Sequence, residues 1–214
     1  MWEVSIHREI PWGDLSQIEN SSIEAVQADN QRAFLIVSEP LPTFTHGLSA
    51  NQEDLLWNEQ TRLDHGASVF AAPRGGKWTY HGPGQIVIFP VVSLERVGFR
   101  PREVRKFIET IRESLIAGLK ELNINAYGKD DPYGIYVDEK KLASFGFGFE
   151  RGIAKHGVAI YYSSQQKYLS GINPCGYSDV PYVSLRELGV DLSYEKAALH
   201  CVQSIKSGFQ PLSR

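Results

Sequence analysis

A chain of 214 residues, 42% hydrophobic and 22% charged, has the composition of an ordinary globular domain and enough length for one sizeable core. Its formal net charge of −3 argues against a general nucleic-acid binder, and no apolar run approaches the length of a membrane span. Cys175 and Cys201 are too few and too far apart for a secreted disulfide framework, and Met1-Trp2-Glu3-Val4 begins neither a signal nor a transit pattern. One domain over residues 1–214, cytoplasmic, with no membrane and no nucleic-acid partner, is the expectation.

Residues 13–29 are expected to form an amphipathic helix, with Leu15, Ile18, Ile23 and Val26 on one side. The apolar run Ala33-Phe34-Leu35-Ile36-Val37 is of strand type and closes at Pro40-Leu41-Pro42. Thr43 to Gly47 reads as a strand edge in which His46 is a structural or surface residue and not a ligand, and Ser68 to Ala71 as a further strand. Trp78-Thr79-Tyr80 and Ile86 to Val92 flank a turn at Gly82-Pro83-Gly84, as a hairpin or across a β-bulge. Residues 101–122 carry the clearest helical spacing, with Pro101 in the first turn and Val104, Phe107, Ile108, Ile111, Leu115, Leu119 and Leu122 on one face.

After a strand at Tyr133 to Val137, residues 141–150 alternate as a strand. Phe145, Phe147 and Phe149 fall on one face, and Leu142, Ser144, Gly146 and Gly148 on the other. A strand face of Ser and Gly makes little core but lets a ligand lie close to the backbone. His156 to Tyr162 is strand-like again. The last helix starts near Ser193 and carries Ala198, Cys201, Val202 and Ile205 on its apolar side, where Cys201 is a packing residue. Strands mixed with two strong helices give an α/β or α+β domain.

The chain is organised around Arg74-Gly75-Gly76-Lys77-Trp78-Thr79-Tyr80-His81-Gly82-Pro83-Gly84-Gln85. Glycines let backbone N–H groups approach a ligand, while Arg74, Thr79, Tyr80 and His81 supply donors at fixed offsets. Taken alone, this stretch fits equally a glycine-rich hairpin with a satisfied structural His81. Cys175 in Ile172-Asn173-Pro174-Cys175-Gly176-Tyr177 is presented on a bend, yet a lone cysteine is more often inert. Lys140 and Lys141 taken alone are two solvated charges at a hairpin tip.

RGG-x-x-TYHGPGQ and NPCGY together resemble the octanoyl-(acyl carrier protein):protein transferases of lipoate biosynthesis, as does Lys141-Leu142-Ala143-Ser144. The resemblance spans about residues 45 to 185. It implies a mixed β-sheet covered by helices, the fold shared with biotin and lipoate protein ligases. It also implies Cys175 as nucleophile, Lys141 as its paired acid and base, and His81 in support. A thiol of ordinary pKa, about 8.5, needs such a cation to become a thiolate near neutrality.

By the same resemblance Arg74, Gly75, Gly76, Lys77, Trp78, Thr79, Tyr80 and His81 line the substrate cleft, as do Ser144, Phe145, Gly146, Gly157, Val158 and Ala159. The implied donor is octanoyl-acyl carrier protein. The implied acceptors are lipoyl domains of 2-oxoacid dehydrogenase E2 subunits and the glycine cleavage H protein, and neither cofactor nor metal is needed. Lys141 then requires a pKa lowered by burial. A basic rim of Arg74, Lys77, Arg102 and Lys106 is expected to steer acidic partners.

The chain departs from the family pattern at Pro73, Leu48 and Tyr161, which bears on pocket shape. Three rival readings share the fold or its ligands. They are an ATP-dependent lipoate or biotin ligase, an amidotransferase between lipoyl domains, and a non-catalytic paralogue that binds the carriers.

Overall fold

The computed structural model describes residues 2–163, 166–173 and 181–209. The chain opens with β1 (Glu3–Ile10), α1 (Trp12–Ala28) and β2 (Ala33–Pro40). β1 and β2 pair in parallel, which demands a crossover connection; α1 provides it. Next come β3 (Thr43–His46), the short α2 (Glu59–Asp64), β4 (Ser68–Ala71), β5 (Trp78–His81) and β6 (Gln85–Ser93). The remainder is α3 (Val104–Glu121), β7 (Tyr127–Asp130), β8 (Tyr133–Val137), β9 (Lys140–Glu150), β10 (Ile153–Tyr161), α4 (Gln166–Leu169) and α5 (Tyr194–Gly208).

These strands form two mixed sheets. The larger has the order β1-β2-β6-β10-β9-β8-β7 and the smaller β4-β3-β5. β6 is central and buried along its whole length, as its continuous apolar run requires. α3 and α5 cover one face of the large sheet. Their stripes Phe107, Ile111, Leu115 and Leu119 and Ala198, Cys201, Val202 and Ile205 complete the larger core. The two helices approach closely at Gly118, where a Cβ would fall 1.9 Å from Ser204 Oγ. α1 covers part of the other face, burying Trp12, Leu15, Ile23 and Val26 against Ile36, Val87, Phe89 and Val91. The small sheet has its own core of Phe44, Trp78, Tyr80 and Ile172.

The mixed sheet with covering helices agrees with the α+β expectation, and the three long helices fall within a few residues of their expected bounds. Three differences are physical. The expected hairpin does not form, because β5 pairs with β3 in the small sheet while β6 pairs with β2 and β10 in the large one. β1, an edge strand with alternating half-exposed residues, carries too little apolar character to stand out in sequence. Pro101 lies in the turn ahead of α3 instead of in its first turn. No helix among the described residues is long and apolar enough to cross a membrane.

Candidate active site

A cleft opens on the α1 face of the large sheet, between that sheet, β5 and the loop preceding β5. The loop is pinned from behind by residues that follow β3. Gly47, Leu48 and Ser49 donate backbone hydrogen bonds to the carbonyls of Lys77, Arg74 and Gly76 at 3.2, 3.2 and 3.3 Å. Gly47 must be glycine for this approach, because a Cβ there would meet the Gly76 carbonyl oxygen at 2.4 Å. Arg74 turns inward and is 7% exposed. Its guanidinium donates to the Thr45 carbonyl at 3.0 Å, to Thr45 Oγ1 at 2.8 Å and to the Gly75 carbonyl at 3.0 Å.

Arg74 is therefore part of the cleft wall and not of a basic rim. Lys106 is ion-paired with Glu103 at 2.6 Å, and it stands with Arg102 at the start of α3, which covers the opposite face of the sheet. The expected steering rim does not form as one patch, because its members are distributed over both faces.

Strand alternation sorts β5. Thr79 and His81 line the cleft with Trp78, Lys77, Gly75 and Gly76. Tyr80 faces away, 1% exposed, with its ring stacked on Tyr168 at 4.7 Å and 7°. It holds the small core together and is not among the cleft-lining residues. His81 is stacked on Trp12 at 4.7 Å and 20°. Burial, and then the neighbouring Arg74 guanidinium, push the His81 ring down to about 3; His156 adds to this and Gln85 opposes it. The ring is thus neutral near pH 7, fitted to donate or accept one hydrogen bond but not to carry charge.

Lys141 reaches the cleft through an irregularity. β8 pairs Gly134 with Ser144 and Ile135 with Ala143, but Tyr136 with Lys141. One extra residue, Leu142, therefore stands in β9, and the alternation shifts by one. Leu142 and Ala143 both enter the large core, while Lys141 joins Ser144 and Gly146 at the cleft. The simple alternation expected from Lys141 onward is corrected here: the bulge moves Leu142 to the phenylalanine face. Lys141 is 3% exposed, with Nζ 5.6 Å from the centre of the Tyr136 ring. Its backbone is bridged to Tyr182, with Lys141 N–H donating to the Pro181 carbonyl at 2.8 Å and Val183 N–H to the Lys141 carbonyl at 3.1 Å.

The sheet lines the cleft with Ser144, Phe145 and Gly146 from β9 and Gly157, Val158 and Ala159 from β10. A Cβ on Gly146 would stand 3.2 Å from Arg74 Cδ, so the bare strand lets the loop arginine lie against it. Val87, Phe89 and Trp12 add an apolar wall. Of the family departures, Tyr161 is buried and packs edge-on against Tyr182 at 4.9 Å, and Tyr182 itself lines the cleft. Leu48 is 83% exposed.

Sequence reasoning missed several contributors. Trp12 sits at the start of a helix, and Tyr133 and Tyr182 carry no local signature; His156 begins the family's HG-x-A pattern, which by itself assigns it no role, and only packing brings these residues to the cleft. Glu19 was one polar residue in an amphipathic helix, yet it is 3% exposed and pairs with His156, Oε2 to Nδ1, at 3.0 Å. Cys175 lies outside the described residues. Cys201 is buried in the large core, where burial pushes its thiol up to about 12, in keeping with a packing role.

Residues 16–206 match the family described as the lipoyl protein ligase A/B catalytic domain. An octanoyltransferase of Persephonella marina is 31% identical over 191 residues, which covers 88% of each chain. The chain belongs to the octanoyltransferase family. Solved structures like this chain in fold include ligases. A bipartite lipoate protein ligase of Thermoplasma acidophilum is 13% identical with a TM-score of 0.77, covering 97% of this chain and 84% of its own. The biotin protein ligase of Aquifex aeolicus, 14% identical, gives 0.53 over 97% and 69%. The fold is that of the biotin and lipoate protein ligases.

Proposed function

We propose that this protein transfers an octanoyl group from octanoyl-acyl carrier protein to the acceptor lysine of lipoyl domains, through a thioester on Cys175. The observation that carries the reading is the placing of Lys141, buried, in the same cleft as Arg74, Thr79 and His81 of the signature loop. The thiolate of Cys175 attacks the donor thioester; the carrier's thiol leaves with a proton from Lys141. Neutral Lys141 then assists attack by the lipoyl-domain amine, and the thiolate is regenerated. Thioester to amide is downhill, so the reaction needs no ATP.

His81, neutral and fixed by Trp12, orients the thioester or supports its oxyanion. The chain of the octanoyl group lies along Gly146, Gly157 and Ala159 against Trp12 and Phe89, at about 0.8 kcal/mol per buried methylene. The E2 lipoyl domains and the glycine cleavage H protein are the proposed acceptors, in the cytoplasm. A ligase reading would require ATP, and 31% identity to an octanoyltransferase against 13% to a lipoate ligase favours the transferase.

The test is intact mass spectrometry after mixing with octanoyl-acyl carrier protein without ATP, beside Cys175→Ser and Cys201→Ser. One hydroxylamine-labile octanoyl adduct on the wild type and Cys201→Ser, absent from Cys175→Ser, is the expected outcome. No adduct on any of them overturns the thioester mechanism.

A further inference from the structure

The inference rests on the octanoyl-transfer reading and concerns the proton balance of its second half. A lysine side chain with an ordinary pKa of about 10.4 reaches the cleft as an ammonium at neutral pH. It becomes an amide N–H only by losing two protons, one to free the attacking lone pair and one as the C–N bond forms. Lys141, neutral after the carrier thiol has left, accepts one of them. A second acceptor is needed.

His156 has the geometry for it. The register that pairs Ala154 with Val92 and Val158 with Ile88 sets His156 opposite Pro90, which has no N–H to offer the ladder. His156 takes a left-handed backbone, φ 55°, a conformation that costs a non-glycine residue about 1–2 kcal/mol. Its N–H turns out of the sheet and donates to Glu19 Oε1. The other carboxylate oxygen of Glu19 stands 3.0 Å from Nδ1, with the two side chains 4% and 10% exposed. A carboxylate only accepts, so Nδ1 carries the hydrogen of that bond and Nε2 is the ring nitrogen left to exchange a proton.

Nε2 is buried without a hydrogen-bond partner among the described residues, on a ring that lines the cleft. Phe89 packs edge-on against that ring at 5.7 Å. The charged and titratable groups of that cleft are Glu19 from α1, which pairs with the ring, His81 from β5, Arg74 and Lys77 from the signature loop, Lys141 from β9, Tyr133 from β8 and Tyr182. Strained backbone, a buried carboxylate and an unfilled acceptor at one point of a cleft are what a proton-accepting site requires.

We propose that His156 is a second catalytic residue, taking the first proton of the acceptor ammonium at Nε2, with Glu19 as the positioning residue that fixes its tautomer and stabilises the imidazolium. Ammonium, acyl-thioester, neutral Lys141 and neutral His156 become amide, Cys175 thiolate, protonated Lys141 and protonated His156. The C–N bond forms, the C–S bond breaks, and the net charge is unchanged. His156 then returns its proton to solvent.

The experiment is single-turnover transfer from isolated octanoyl-enzyme to a lipoyl domain, at about pH 7 and about pH 9.5, for the wild type, His156→Gln and Glu19→Gln. His156→Gln should slow transfer from the isolated octanoyl-enzyme about a hundredfold at the lower pH, a larger loss than it causes in octanoyl-enzyme formation. The deficit should shrink at the higher pH, where more acceptor arrives as free amine. Glu19→Gln sets an amide against Nδ1 and should show a smaller deficit with the same trend; it serves alone if His156→Gln does not fold. Wild-type transfer by both variants, or a deficit equal at both pH values, overturns the assignment. Failure of the wild type itself to form octanoyl-enzyme would instead overturn the transfer reading and this inference with it.

Discussion

A Cβ on Gly134 would stand 2.7 Å from Lys141 Cε and 2.7 Å from the Ala143 carbonyl oxygen. The lysine stem thus crosses β8 at the one point where that strand has no side chain. Since the bulge at Leu142 already directs Lys141 to the cleft, Gly134 sets how deep its ammonium lies.

Gly134→Ala is predicted to displace Lys141 and slow octanoyl-enzyme formation by about a hundredfold, at a stability cost of about 1–3 kcal/mol. Single-turnover acylation beside a thermal melt measures both. Acylation at the wild-type rate would show that the stem does not need this gap.

His81 gives the protein an acid sensitivity with a definite sign. Its folded pKa is depressed from 6.5 to about 3, so between those values the unfolded chain binds a proton that the folded chain refuses. This contribution is absent above about pH 6.5 and destabilises progressively as pH falls toward about 3, by at most about 1.4 kcal/mol per unit. His81→Gln should flatten the loss of unfolding free energy between pH values of about 6.5 and 4, read by urea titration. An identical slope in the variant would remove His81 as its source.

Thr45 is fully buried and holds Arg74 through both its carbonyl and its hydroxyl. Thr45→Val keeps the volume and the carbonyl but removes the 2.8 Å bond to a buried guanidinium. Hydrogen bonds to charged groups contribute about 1.5–3 kcal/mol, so unfolding in denaturant should show a loss of about 2 kcal/mol. The loop carrying Arg74 would also loosen, and octanoyl-enzyme formation should fall with it. Unchanged stability would mean that the Thr45 carbonyl alone suffices.

The sequence by itself determined the three long helices, the apolar central strand and the family. Phe107 to Leu119 repeats at helical spacing, Ile86 to Val92 is apolar without a break, and the glycine-rich loop and Lys141-Leu142-Ala143-Ser144 are local patterns that survive without knowing their neighbours. They were legible because period and turn chemistry depend on adjacent residues alone.

Only the tertiary structure decided which side chains meet. Simple alternation would send Lys141 to the phenylalanine side; the extra residue at Leu142 becomes a bulge only in register with β8. Simple alternation likewise gives His156 no partner, and Pro90 across the ladder and Glu19 from α1 create its turn toward the cleft. Tyr80 sits in the signature yet faces the small core, because β5 pairs with β3 and has its own inner face. The cleft's polar groups stand where strand periodicity breaks. Such a break is set by the strand or helix packed against it, which lies far away in sequence.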